Sequence, residues 1–142
     1  MRRAPLAAIA IAVAVAAAAA LVVAGCGTPS PDLFVVQRSG TVPGAKLQML
    51  VSDTSVRCNR GKALPLTSAQ IIQARDITDD LLLVQPGKVK LPAAPPAQIF
   101  AYEITTQEGV LRFSDTAQRP PILPRTAAFV RRLAKDTCGL TR

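Results

Sequence analysis

From Ala4 to Ala24 the chain carries no charged residue, and Ala, Val, Leu and Ile fill nearly every position. Met1-Arg2-Arg3 places positive charge ahead of this block, and Ala24-Gly25 closes it with small residues just before Cys26. A basic head, an apolar middle and a small-residue end mark an export signal. A membrane-crossing helix, which needs about 20 apolar residues, is a competing reading of the same block. A soluble secreted protein, cut after a small residue, is another.

Val23-Ala24-Gly25-Cys26 separates these readings. It resembles a bacterial lipobox: an aliphatic residue, two small ones and a Cys. The resemblance covers the first 26 residues. It implies a diacylglycerol joined to Cys26 by a thioether, and cleavage between Gly25 and Cys26. Small residues give a peptidase access to the backbone, and only a thiol takes the lipid. Two or more acyl chains anchor a protein stably where one is marginal. Residues 1–25 are then the signal, 26–31 a lipidated linker and 32–142 a single domain. Gly27 to Pro31 reaches at most about 17 Å, so the domain is expected close to the bilayer.

Removing 25 residues from 142 leaves 117, enough for one real core. With no Trp, that core must rest on Val, Ile, Leu and a few Phe. The chain has 17 Lys plus Arg against 9 Asp plus Glu; without Arg2 and Arg3 it is 15 against 9. A basic exported domain favours anionic lipid head groups, anionic wall polymers or an acidic envelope protein. A merely solvated Arg-rich surface accounts for the same surplus. From Val110 onward seven cations (Arg112, Arg119, Arg125, Arg131, Arg132, Lys135 and Arg142) face only Asp115 and Asp136. No nucleic acid is expected, on grounds of compartment.

Once Cys26 carries lipid, Cys58 and Cys138 remain, and outside the cytoplasm two leftover Cys most simply pair. Two free buried thiols are the alternative. A metal site is disfavoured by the lack of His and of C-x-x-C.

Leu33 to Arg38, Lys46 to Val51 and Val56 to Cys58 read as strands separated by turn chemistry. Thr67 with Gln70 fits a capping box. Behind it Ile71, Ala74, Ile77, Leu81 and Val84 form a helical stripe that Pro86-Gly87 stops. The segment from Gly87 to Ala97, with three Pro and two Lys, is expected to be a stiff basic loop. Gln98 to Asp115 reads as a hairpin turning at Gln107-Glu108-Gly109, with Phe100, Tyr102, Ile104, Leu111 and Phe113 on one face. Arg119 to Pro124 is expected to be extended. A second helix from about Arg125 to Cys138 then turns Val130, Leu133, Ala134 and Cys138 inward, with Gly139 as its stop. The order β-β-(β)-α-β-β-α gives an α+β fold, an antiparallel sheet of four or five strands packed against two helices.

The chemistry on offer is sparse. Without His there is no Ser-His-Asp or Cys-His arrangement. The chain contains no S-x-x-K and no glycine-rich phosphate loop. Asp79 and Asp80 are helix neighbours and do not face each other. Glu103, Glu108 and Asp115 are the carboxylates from which an acid–base pair would have to be drawn, and turn roles suit Glu108 and Asp115 better. No enzyme and no cofactor are expected. A binding or structural module remains. Arg38-Ser39-Gly40, Tyr102-Glu103-Ile104 and Phe113-Ser114-Asp115 ahead of a Pro-Leu helix resemble the emfourin family of small peptidase inhibitors over about half of the mature chain. That resemblance implies inhibition of a metallopeptidase.

Overall fold

The structure is a computed structural model that describes residues 32–84 and 99–140. Cys26, the linker and the basic loop 87–97 lie outside the described residues. Six strands make one antiparallel sheet: β1 (Asp32–Gly40), β2 (Leu47–Ser52), β3 (Ser55–Cys58), β4 (Ala63–Pro65), β5 (Phe100–Thr106) and β6 (Gly109–Ser114). Helix α1 (Ser68–Leu83) follows β4, and α2 (Ile122–Arg132) follows β6 and continues into a π turn, Leu133–Thr137. The spatial order is β4-β3-β2-β1-β5-β6. The fold is therefore the expected α+β arrangement, with one strand more than the four or five in the pattern. The addition is β4, whose three residues are too few to show alternation.

Alternation decides the two faces of the sheet. Phe34 and Val36 of β1 lie opposite Val51 and Met49 of β2, and Val36 also lies opposite Ile104 of β5. Tyr102 and Ile104 in turn face Phe113 and Leu111. All of these are buried, and with Ala74, Ile77 and Leu81 of α1 and Leu123, Ala127, Phe129 and Val130 of α2 they form one core. The intervening residues point to the opposite face.

The ends of α1 are set as its sequence suggests. The Thr67 side chain accepts from the Gln70 N–H at 3.3 Å, and the Gln70 side chain accepts from the Thr67 N–H at 2.8 Å. Arg75 on its exposed side pairs with Asp53 at 2.8 Å. That hydrogen bond and the charge of Asp53 raise the guanidinium's pKa above its ordinary value. The helices are joined by Arg125, which pairs with Asp76 at 3.6 Å and with Asp80.

One expectation needs correction. Residues 122–124 are helical, not extended. The cluster Pro120, Pro121 and Pro124 suggests extended chain, yet Pro124 falls in the first helical turn. N–H groups there have no partner within the helix, so a residue without one is tolerated. The earlier start adds Ile122 and Leu123, both buried, to the core.

Phe129 is 1% exposed and meets Phe34 edge-on at 6.5 Å, which fixes α2 over β1. Phe129→Ala is expected to destabilise the domain by about 3 to 5 kcal/mol. Urea unfolding should show a lower midpoint at unchanged slope.

Candidate functional site

Four residues named by the sequence meet at one corner of the fold. Cys58, at the end of β3, and Cys138, just past the π turn, form a disulfide across 80 residues with Cα atoms 6.3 Å apart. The π turn delivers Cys138 there, with the Cys138 N–H donating to the Leu133 carbonyl at 3.0 Å. Gln70 Nε2 donates to Thr137 Oγ1 at 3.0 Å, so the start of α1 is tied to the same corner. Gly139 follows at φ +66°, a conformation that strains side-chain-bearing residues, and lets the Leu140 N–H return to the Ala134 carbonyl.

The carboxylates have structural partners. Glu103 accepts from Arg112 Nε at 2.7 Å, from its direct cross-strand neighbour. Asp115 Oδ2 accepts from the Phe100 N–H at 3.1 Å and so locks the open end of the hairpin. Glu108 is exposed in the two-residue turn between β5 and β6, where its N–H donates to Thr106 Oγ1. Tyr102 is core, as expected: it is 2% exposed and stacks on Phe113 at 5.3 Å.

The basic C-terminal half is divided. Arg112 and Arg125 are in ion pairs, and Arg131 donates to the Tyr102 hydroxyl at 3.5 Å. Arg119, Arg132 and Lys135 are exposed, and Arg142 lies outside the described residues. Arg38 is buried against the core, with its guanidinium 4.6 Å from the Phe100 ring centre and Nε donating to the Ala45 carbonyl at 2.9 Å. Gly40 makes this end possible. A Cβ there would lie 2.2 Å from the Ile99 carbonyl oxygen.

The face of the sheet turned away from the core carries a second set of residues. Register places Gln48, Gln37, Glu103 and Arg112 in one row across β2, β1, β5 and β6. Asn59 and Arg60 extend the row past β3. The Gln48 N–H donates to Asn59 Oδ1 at 3.0 Å, and Arg60 Nε donates to Gln48 Oε1 at 3.3 Å. The next row holds small residues, Ser39 and its partner Ala101, with Lys46 nearby. Small residues beside long ones leave a trough of about 820 Å³. Its rim carries Lys46, Arg60 and Arg112 against Glu103.

Sequence alone does not reveal this row. Strand alternation shows that Gln37, Gln48 and Glu103 point outward, but it does not say which strands are neighbours. The three tripeptides that resemble emfourins do converge, because Arg38, Tyr102 and Phe113 are successive cross-strand partners. All three lie on the buried face. No protein-family model, curated protein or solved structure matches the chain.

Cys138→Ala is expected to cost about 2 to 5 kcal/mol, the usual cost of losing a native bridge in a small domain. Peptide mapping without reduction should recover residues 58 and 138 in one linked species. Two separate peptides with alkylatable thiols would refute the bridge.

Proposed function

We propose that this chain is an exported lipoprotein, tethered to the cell membrane through lipid on Cys26, whose domain works by binding and not by catalysis. The observation that carries the reading is the Val23-Ala24-Gly25-Cys26 end of an uncharged apolar run. The Cys58–Cys138 bridge supports it, because such bonds persist in oxidising compartments. The binding role is supported by the side chains themselves. Glu103 and Asp115 are held by Arg112 and by the Phe100 N–H, whereas exposed amides and cations line an open trough.

Inhibition of a metallopeptidase is a second reading, favoured by the convergence of the three tripeptides at one end of the sheet. Titrating the full chain against a metallopeptidase tests it, and undiminished peptidase activity at excess inhibitor would exclude it.

Cell fractionation tests the main reading. Wild-type protein should partition with membranes and carry acyl chains on the N-terminal peptide by mass spectrometry. Cys26→Ala should abolish the lipid mass and release the protein from the membrane fraction or leave it uncleaved. A variant processed and membrane-bound like wild type would overturn the assignment.

A further inference from the structure

We infer that the trough on the open sheet face is a binding site for an anionic, hydroxyl-rich polymer of the glycan type, bearing carboxylate or phosphate groups. This deepens the tethered-binding reading by naming the partner's chemistry.

Three features of the face define the occupant. The first is charge and its placement. Arg60 stands at the β3 end of the row and Arg112 at the β6 end, with Lys46 beside them on the rim. Four strand-to-strand steps separate the ends, about 19 Å at the usual spacing. A ligand that satisfies both ends carries negative charges spread along its length. Guanidinium groups suit carboxylate and phosphate alike, because their fork of donors matches paired oxygens.

The second feature is what lies between the ends. Gln37 presents an amide with a donor and an acceptor side, while Gln48 and Asn59, whose oxygens accept from Arg60 Nε and the Gln48 N–H, each turn an NH2 donor and a remaining lone pair to the trough. That is the complement of a hydroxyl, which donates and accepts. A peptide offers fewer such groups, and peptides are most readily captured by adding a strand at a sheet edge. Here the row runs across β2, β1, β5 and β6, whose neighbouring backbones already pair with one another. Recognition must therefore come from side chains.

The third feature is position. The row crosses β1 at Gln37, about 17 Å along the strand from its first residue, Asp32. The trough thus lies toward the C-terminal end of β1, the strand end farther in sequence from Cys26. Next to the row, toward Asp32, lie Arg57, Leu50, Val35, Thr105 and Val110, so the neighbouring row is mostly aliphatic and ends in one further cation at β3.

Arg60 itself is held in place at a conformational cost. Asn59 and Arg60 have φ of 48° and 61°. The left-handed region is costly for a residue with a side chain, by about 1 kcal/mol. Asn tolerates it well, but Arg does not. The bond that Asn59 Oδ1 accepts from the Gln48 N–H and the one that Arg60 Nε donates to Gln48 Oε1 hold both residues at the trough's edge.

The test uses the full lipidated chain, purified in a non-ionic detergent, with binding read by fluorescence anisotropy of labelled probes. The probes are polygalacturonate, poly(glycerol phosphate), neutral dextran, poly-glutamate and vesicles of phosphatidylglycerol. Polygalacturonate or poly(glycerol phosphate) should bind in a salt-sensitive way, and dextran should not. Which of the two binds better identifies carboxylate or phosphate as the preferred anion. The double change Arg60→Gln with Arg112→Gln should raise the Kd by about tenfold. Glu103→Gln removes the one opposing charge and frees Arg112, so it should lower the Kd by about threefold. A triple change of Arg131, Arg132 and Lys135 to Gln, on the helix layer, should leave it within about twofold.

Several results would overturn the inference: no binding to either polymer, binding undiminished in the double variant, stronger binding to poly-glutamate, or preference for the vesicles. Loss in the helix-layer variant alone would do the same. Should the double variant fail to fold, the gain expected from Glu103→Gln decides by itself. The measurement is made off the membrane. A negative here leaves the Cys26 anchor standing, and failure of the Cys26→Ala test leaves polymer binding intact.

Discussion

Strand β1 is paired along both edges, with β2 on one side and β5 on the other. Those partners are separated by α1 and nearly fifty residues of sequence. Because β1 holds them both, the N-terminal meander and the C-terminal hairpin form one continuous sheet, and the β5–β6 hairpin, which would be marginal alone in water, gains a third strand. The same pairing sets the register of everything else. Val36 lies opposite Met49 and Ile104 together, so one slip on β1 would turn its apolar residues away from those of both neighbouring strands. Burial on one face therefore enforces the register, and the register assembles the row of polar side chains on the other.

The far corner of the molecule is secured differently. β3 and β4 are short, four and three residues, and bury little surface. Their end of the sheet relies on the Cys58–Cys138 bridge and the Gln70–Thr137 hydrogen bond, which tie the last turn of the C-terminal helix to β3 and to the start of α1. The π turn has a part in this. Its wider hydrogen-bond ring, closed between Cys138 and Leu133, ends the helix just where the cysteine meets β3. Covalent closure at one corner and a doubly paired strand at the centre divide the work of holding a domain that has no Trp and one Tyr.

The strong local signals of the sequence correspond to the strong local structures. The Thr67–Gln70 box, the stripe from Ala74 to Leu81 and the alternation of Phe100, Tyr102 and Ile104 each reflect contacts within a few residues or one face of one element. What the sequence hides is of two kinds. Pro124 marks extended chain in most settings and a helix start in this one, and only the packing of Ile122 and Leu123 distinguishes them. The polar row is hidden for another reason. Gln37, Gln48, Arg60, Glu103 and Arg112 come from five places in the chain, and no spacing connects them until the strand order is known. Arg38 makes the same point in reverse: it looks like a surface cation between Gln37 and Ser39, and the register turns it inward against Phe100.

The surplus of positive charge is sorted by that geometry. In the helix layer Arg125 joins α1 to α2 through Asp76 and Asp80, and on α1 Arg75 meets Asp53, so part of the surplus serves to pair exposed elements. Exposed pairs of this kind contribute little to stability, about 0 to 1 kcal/mol each. Their larger effect is on the field that remains. Each neutralised pair removes a cation from the layer above the core, while on the open face Lys46, Arg60 and Arg112 outnumber Glu103. A net charge that looks like a property of the C-terminal half in sequence thus becomes, in three dimensions, partly a property of one end of one sheet face. Charge concentrated in a concave site attracts counter-ions more strongly than the same charge spread over a convex surface, and this favours the trough over the helix layer as the place where the domain meets an anionic partner.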